Sequence, residues 1–226
     1  MVGRRFRWLL LVLLAACAVI AGGAAADTAA TTPQAERVRI PLASSRMRLT
    51  VIREAQRVYG LDAPVARFAA QIHQESLWNA SAASRYANGL AQFTPPTAEW
   101  IAKVYPELHP AAPWDAHWSV RAMVRYMRHI ETNQADAATP CDRWAFALSG
   151  YNGGPAWVTR DRKRAHLARA DPNRWFGEVE LHTARAAWAR KENRDYVRRI
   201  LLSLEPAYSK AGWPGDLACE PVEEHT

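Results

Sequence analysis

What most constrains this chain is a spacing. From Arg46 onward its apolar residues recur three and four apart, and no run of alternating β-branched residues bounded by turns appears. In "DAHWSVRAMVRYMRHI", Val120, Met123, Val124, Met127 and Ile130 make one helical stripe, with arginines on the far side. In the segment from Arg46 to Tyr59, Leu49, Ile52, Ala55, Gln56 and Tyr59 partly follow the same rule, and Gly60 is a stop. Asp62 is the expected cap of the next helix, with Pro64 in its first turn. Thr94 caps a further helix that opens on Pro95. "CDRWAFALSGYNGGP" reads as a short apolar helix ending in a glycine-rich turn. "ENRDYVRRILLSLEPAY" reads as a last helix with Tyr196, Ile200, Leu201 and Leu204 inward. The expectation is an all-α domain of about six to nine helices with little or no sheet.

The 226 residues suit one such domain with a short appendage. Its first segment is set apart: "MVGRRFR" is basic, "WLLLVLLAACAVI" is apolar, and small residues at Ala24 and Ala26 suit cleavage before Asp27. Residues 1–26 therefore read as an export signal. "LAAC" ending at Cys17 also resembles a lipobox, which would make Cys17 a lipid anchor and is the only route to a membrane in this reading; "AVIA" continuing apolar beyond it favours soluble export. Losing this segment removes three arginines and no acid, taking the net charge from +7 to +4. Export leaves Cys141 and Cys219, which in an oxidising compartment read as a disulfide, two free thiols being the alternative. Residues 27–45 read as a Thr-, Pro- and Ala-rich linker, 46–210 as the body and 211–226 as a tail.

One carboxylate stands out. On the helix carrying Val65, Phe68, Ala69 and Ile72 inward, Glu75 falls on the flank of the apolar face and Ser76 nearer its centre. A carboxyl half inside an apolar wall loses hydration, which raises its pKa toward that of a general acid at neutral pH. A solvated glutamate at a helix end is the alternative from position alone. Other chemistries fail on spacing. "HQE" at His73–Glu75 begins a zinc-deaminase pattern, but "PCDRW" supplies one cysteine where two are needed. No metal site or cofactor is expected. The arginines between Arg160 and Arg174 are interleaved with acids and read as a solvated surface loop rather than a nucleic-acid face.

Three segments, in order, carry a family resemblance. "ESLWNASAASRYANGLAQFTPPTA" resembles the E-S-x-F-N-P…S…G-L-M-Q…P-x-T-A block of the lysozyme-like lytic transglycosylases (SLT domain, glycoside hydrolase family 23). "GYNGGPAWV" is similar to that family's A-Y-N-A-G-P block, and "ENRDYVRRI" to its E-T-x-x-Y-V-x-x-I block. The resemblance implies a lysozyme-like arrangement of orthogonal helices around a substrate cleft, a catalytic Glu75, and Ser76 in polar contact behind it. It implies further that Ser84, Gly89, Gln92, Tyr151, Asn152, Glu192 and Tyr196 line a saccharide cleft, Gly89 letting the backbone approach sugar. Core packing is the alternative for Tyr151 and Tyr196, as it is for Trp78 and Trp157, which could otherwise stack on pyranose faces. Departures fall in the cleft: a shortened loop between Ser84 and Gly89, Ala80 for Pro, Ala91 for Met, Gly150 and Gly153 for Ala.

The implied activity is cleavage of the β-1,4 bond between N-acetylmuramic acid and N-acetylglucosamine in peptidoglycan, closing a 1,6-anhydromuramoyl ring, in the periplasm or cell envelope. Two alternatives stay open: a hydrolysing lysozyme of the same fold, with Asp115, Asp142 or Glu192 as second acid, and a non-catalytic wall-binding scaffold. The implied partner is the glycan strand; an envelope-spanning secretion or conjugation machine is an open further partner.

Overall fold

The computed structural model describes residues 38–219. The export signal, Cys17 and most of the linker lie outside the described residues. The elements are α1 (Ala43–Tyr59), α2 (Val65–Ser76), α3 (Pro95–Val104), α4 (Ala116–Thr132), α5 (Pro140–Gly153), α6 (Pro155–Leu167), α7 (Ala187–Arg199) and α8 (Glu205–Lys210). A single π-helical stretch, Ile200–Leu204, joins the last two. Pro206 explains that stretch: it has no N–H to give, and its ring crowds the carbonyl one turn back, so the helix widens ahead of it. Among the described residues there is no strand. The nearest approach is a pair of isolated bridges, Ala83 with Asn88 and Asn88 with Phe93, in the loop after α2.

Helix α2 is the centre of the molecule. Every residue from Val65 to His73 is buried, and α1, the π-helical stretch and α8 pack around it. Its polar members Arg67, Gln71 and His73 are buried along with its apolar ones, so each must find a partner inside. Its buried charge, Arg67, finds a partner in Glu205 of α8 at 2.7 Å while stacking over the Trp144 ring at 4.2 Å.

The start of α2 corrects the sequence reading. Asp62 does not cap it; Pro64 holds the cap position with no side-chain hydrogen bond. The orphan N–H of Ala66 instead donates to the carbonyl of Pro214, at 2.8 Å, in the segment after α8. Gly215 makes that approach possible, because a Cβ there would lie 2.6 Å from the Ala63 carbonyl oxygen. Trp213 packs against Trp78 and Tyr208, and the Cys141–Cys219 disulfide fastens the same segment to α5. Residues 211–219, set apart from the body as a tail by the sequence reading, thus help to complete the core.

Helix α4 follows its sequence stripe, with Val120, Met123, Val124, Met127 and Ile130 all buried. Its arginines do not all face away: Arg125 is buried and meets Glu107 at 2.7 Å and Glu54 of α1 at 3.8 Å. That pairing turns α1. Its buried face is Ser44, Thr50, Val51, Glu54 and Ala55, so Leu49, expected inward, is 78 % exposed. Caps read from sequence hold at α3, where Thr94 accepts from the N–H of Thr97. The arginine-rich stretch is helical through Leu167 rather than a loop, and Arg162 in it is held by Asp136, Gln134 and Asn173.

Candidate active site

Glu75 sits in the last turn of α2 and keeps only part of its surface open. The Tyr196 hydroxyl, brought by α7, donates to Glu75 Oε1 at 2.5 Å. Gln71, one turn earlier on α2 and fully buried, donates from Nε2 to the same hydroxyl at 3.3 Å. The line Gln71–Tyr196–Glu75 therefore fixes the phenol so that its hydrogen points at the acid.

Electrostatics follow from this crowding. Burial of Glu75 pushes its pKa from 4.5 up to about 8; the Tyr196 hydrogen bond works against that rise, and the charge of Glu192 adds to it. Burial, with the charge of Glu75 next, drives Tyr151 and Tyr196 well above the ordinary tyrosine value, so both are neutral hydroxyls at physiological pH. At neutral pH the site holds a protonated carboxylic acid and two phenols. It can give a proton and then take one back.

The backbone turns sharply behind the acid. Leu77 (φ 52°) and Trp78 (φ 67°) are both left-handed, a conformation costing bulky residues about 1 kcal/mol or more each. The fold holds them there through Trp78, whose indole N–H donates to the Tyr208 hydroxyl at 2.6 Å. Trp78 is accordingly buried, which settles its alternative readings in favour of the core. His73, bonded through Nδ1 to the same Tyr208 hydroxyl at 3.0 Å, is likewise a packing residue.

The loop from Asn79 to Phe93 is pinned from within. Gln92, also left-handed at φ 47°, donates through Nε2 to the carbonyls of Ala82 and Gly89, at 3.1 and 2.9 Å. Ser84 closes the exposed turn by accepting from the N–H groups of Tyr86 and Ala87. Gly89 has φ +77°, and a Cβ there would lie 1.7 Å from the Pro113 carbonyl oxygen. A need for glycine at this point arises inside the protein, from the approach of Pro113. Tyr151 reaches the loop from α5: its hydroxyl donates to the Ala91 carbonyl at 2.8 Å, with its ring against Phe93 and Tyr126.

The structure brings Glu75, Tyr151 and Tyr196 together, with Glu192 exposed on α7 close enough for its charge to act on Glu75. Asn152 faces α7, its Oδ1 accepting from Asn193 Nδ2 at 2.8 Å. Ser76 departs from the expectation: its hydroxyl turns back to the Ile72 carbonyl of its own helix at 3.4 Å, as serines near helix ends do, and makes no hydrogen bond to Glu75. Two of the possible second acids serve the fold. Asp115 caps α4 by accepting from the N–H of Trp118, and Asp142 accepts from the Thr139 hydroxyl and the Trp175 N–H. Among the described residues no three His, Cys, Asp or Glu side chains stand close enough to hold a metal ion. Sequence reasoning missed Gln71 and Asn193. The signals were their helical spacings, four before Glu75 and three before Tyr196.

The fold and site together define a helical domain built around one shielded carboxylic acid beside two tyrosines. Residues 50–172 match the family described as Transglycosylase SLT domain, and the chain belongs to that family. Tyr196 and Glu192 lie beyond the matched residues. The chain is 33% identical over 110 residues to "Membrane-bound lytic murein transglycosylase F" of Shewanella sp. (strain ANA-3), covering 48% of this chain and 22% of that protein. It is 31% identical over 166 residues to the protein of the same name from Shewanella sp. (strain W3-18-1), covering 70% and 33%. To that of Ectopseudomonas mendocina (strain ymp) it is 30% identical over 133 residues, covering 58% and 26%. The aligned segments thus make up a third or less of the length of these curated relatives.

Proposed function

We propose that the protein is a peptidoglycan lytic transglycosylase, cleaving the β-1,4 bond between N-acetylmuramic acid and N-acetylglucosamine and leaving a 1,6-anhydromuramoyl end. The observation that carries this is the carboxyl of Glu75, buried enough to keep its proton near neutral pH and bonded to a neutral Tyr196. In the forward step Glu75 gives that proton to the glycosidic oxygen, and the C1–O bond breaks. The neighbouring 2-acetamido group stabilises the positive charge left at C1. Glu75, now anionic, takes the proton of the muramoyl C6 hydroxyl as that oxygen bonds to C1. Every atom is accounted for and no water is used. One acid suffices because the substrate supplies its own nucleophile, whereas glycosidases that use water ordinarily need two carboxyls. Tyr196 orients the acid between its two tasks, and Tyr151 holds the facing loop.

One observation favours the hydrolysing alternative: the charge of Glu192 reaches Glu75. Mass spectrometry of the released muropeptides decides. A product lighter by one water at the muramoyl end supports the transglycosylase, and a reducing end overturns it. Binding of glycan without any release, by wild type and Glu75→Gln alike, would make the protein a wall-binding scaffold. The reading places the chain in the cell envelope. No described helix is long and apolar enough to cross a membrane, and residues 1–26 supply the export. A larger envelope-spanning machine remains a partner proposed from the resemblance alone; co-purification from detergent-solubilised envelopes tests it.

A further inference from the structure

Between α6, the end of α5 and α7 lies a polar cluster that the mechanism above does not use. Asp161 of α6 and Arg185, just before α7, form an ion pair at 3.2 Å with both side chains almost wholly buried. As a stabiliser the pair is poor, because Asp161 Oδ1 and Arg185 Nε find no hydrogen-bond partner and their loss of water is incompletely offset. What it achieves is placement. The guanidinium lies against Gly153 at the end of α5, where an added Cβ would stand 2.3 Å from Nη1 and 3.2 Å from Asn193 Nδ2. Arg185 Nη2 also points toward the Ser149 hydroxyl at 3.5 Å.

From there the connections run to the cleft. The Ser149 hydroxyl donates to Asn193 Oδ1 at 2.7 Å, and Asn193 Nδ2 donates both to the Ser149 carbonyl at 3.0 Å and to Asn152 Oδ1 at 2.8 Å. Asn193 thereby settles which way round the Asn152 amide sits: oxygen toward α7, leaving its NH₂ as the donor. Two departures from the family's written pattern meet here. Gly153 stands at the Ala of A-Y-N-A-G-P, and Asn193 at the Thr of E-T-x-x-Y-V. The methyl missing from Gly153 is the room that the arginine and the longer amide occupy.

We propose that Arg185 is a positioning residue for glycan binding, acting through Gly153, Ser149 and Asn193 to fix the Asn152 amide as a donor to the sugar. The proposal rests on the peptidoglycan reading for its ligand but not for its geometry. Gly153→Ala displaces the guanidinium. Arg185→Met removes it while keeping most of its volume. Both loosen Asn193 and let Asn152 turn.

The test is a cycle of Gly153→Ala, Arg185→Met and the double variant, with KM and kcat measured on soluble uncross-linked glycan strands. Each single change is expected to raise KM roughly 3- to 10-fold, the range of one misplaced hydrogen bond, with kcat within about twofold and the alkaline pH limb unmoved. Added to Arg185→Met, Gly153→Ala should change KM less than about twofold, because the group it collides with is gone. Multiplicative single effects, or an unchanged KM in folded Arg185→Met, overturn the proposal. If Gly153→Ala does not fold, Arg185→Lys replaces it: a point charge that keeps the Asp161 pair but not the guanidinium's contacts with Gly153 and Ser149 should still raise KM. Side-chain amide NMR settles the geometry independently of turnover. In Arg185→Met the Asn152 and Asn193 NH₂ resonances should shift together; if they stay in place the proposal fails even in a protein that cleaves nothing, whereas shifted resonances in an inactive wild type uphold the geometry and refute only the activity.

Discussion

Tyr196 donates its hydroxyl hydrogen to Glu75 Oε1, so the acid on α2 is tuned by a residue from α7. The bond favours the charged carboxylate, while Glu192, from the same helix, disfavours it. Two side chains four apart on one helix thus pull one proton in opposite directions.

That opposition is measurable in pH profiles. With Glu75 raised to about 8, kcat/KM for glycan should fall as pH rises through that value. Tyr196→Phe removes a bond that lowers the pKa, so the alkaline limb moves to higher pH, with about a tenfold loss of kcat from the freed carboxyl. Glu192→Gln removes a like charge, so the limb moves to lower pH. Because Glu192 is exposed, its shift should shrink in 1 M salt. Shifts in the same direction for both variants contradict the account.

Stability carries the same signature. Glu75 has a folded pKa raised from 4.5 to about 8, so its burial has no electrostatic cost below pH 4.5, where it is neutral folded or unfolded. As pH climbs from there through about 8, the unfolded chain ionises first and wild type loses stability. Glu75→Gln has no such proton to lose. It should abolish release of muropeptides and be the more stable protein by roughly 2–4 kcal/mol at pH 9, the difference vanishing at pH 4. Thermal unfolding at the two pH values, together with turnover, tests both halves.

Legibility in the sequence followed the reach of each interaction. The α4 stripe and the Thr94 cap depend on neighbours within a turn or two, and both were readable. Glu75 was readable because its flank position and its sequence block agree. The face of α1 was not, since Glu54 is turned inward by Arg125, and nothing local signals that pairing. The cap of α2 was not, since Pro214 arrives from the far end of the chain. Gly89 was picked out by the family resemblance, but only the fold shows that Pro113 fills the space a side chain would take. Ser76 was misread because a serine hydroxyl near a helix end has its own carbonyl to bond.

The buried ion pair between α2 and α8 predicts an asymmetry. Arg67 and Glu205 meet at 2.7 Å with almost no exposure, so removing one partner leaves a charge with nothing to answer it. Arg67→Met or Glu205→Leu alone should cost about 3–5 kcal/mol, and the double variant less than either. The Trp144 ring, which Arg67 covers, should keep the double variant from exceeding wild type by much. Urea unfolding of the four proteins gives the coupling; simple additivity contradicts the pairing.

The disulfide predicts a local consequence as well as a global one. Cys141 and Cys219 are 78 residues apart, so opening the bridge frees a long loop in the unfolded chain and should cost about 4.5 kcal/mol on the loop-entropy account. The damage should not be uniform. Cys219 fastens the segment whose Pro214 carbonyl caps α2 at Ala66, at the opposite end of that helix from Glu75. In Cys141→Ser/Cys219→Ser, hydrogen exchange should therefore quicken first at Ala66 and its neighbours, while the N–H groups of α4 stay protected until global unfolding. Kinetics on glycan should be little changed well below the new melting temperature, because no residue of the Gln71–Tyr196–Glu75 line belongs to the fastened segment. Uniformly faster exchange across α2 and α4 would contradict the capping role of the segment and leave the bridge a purely global brace.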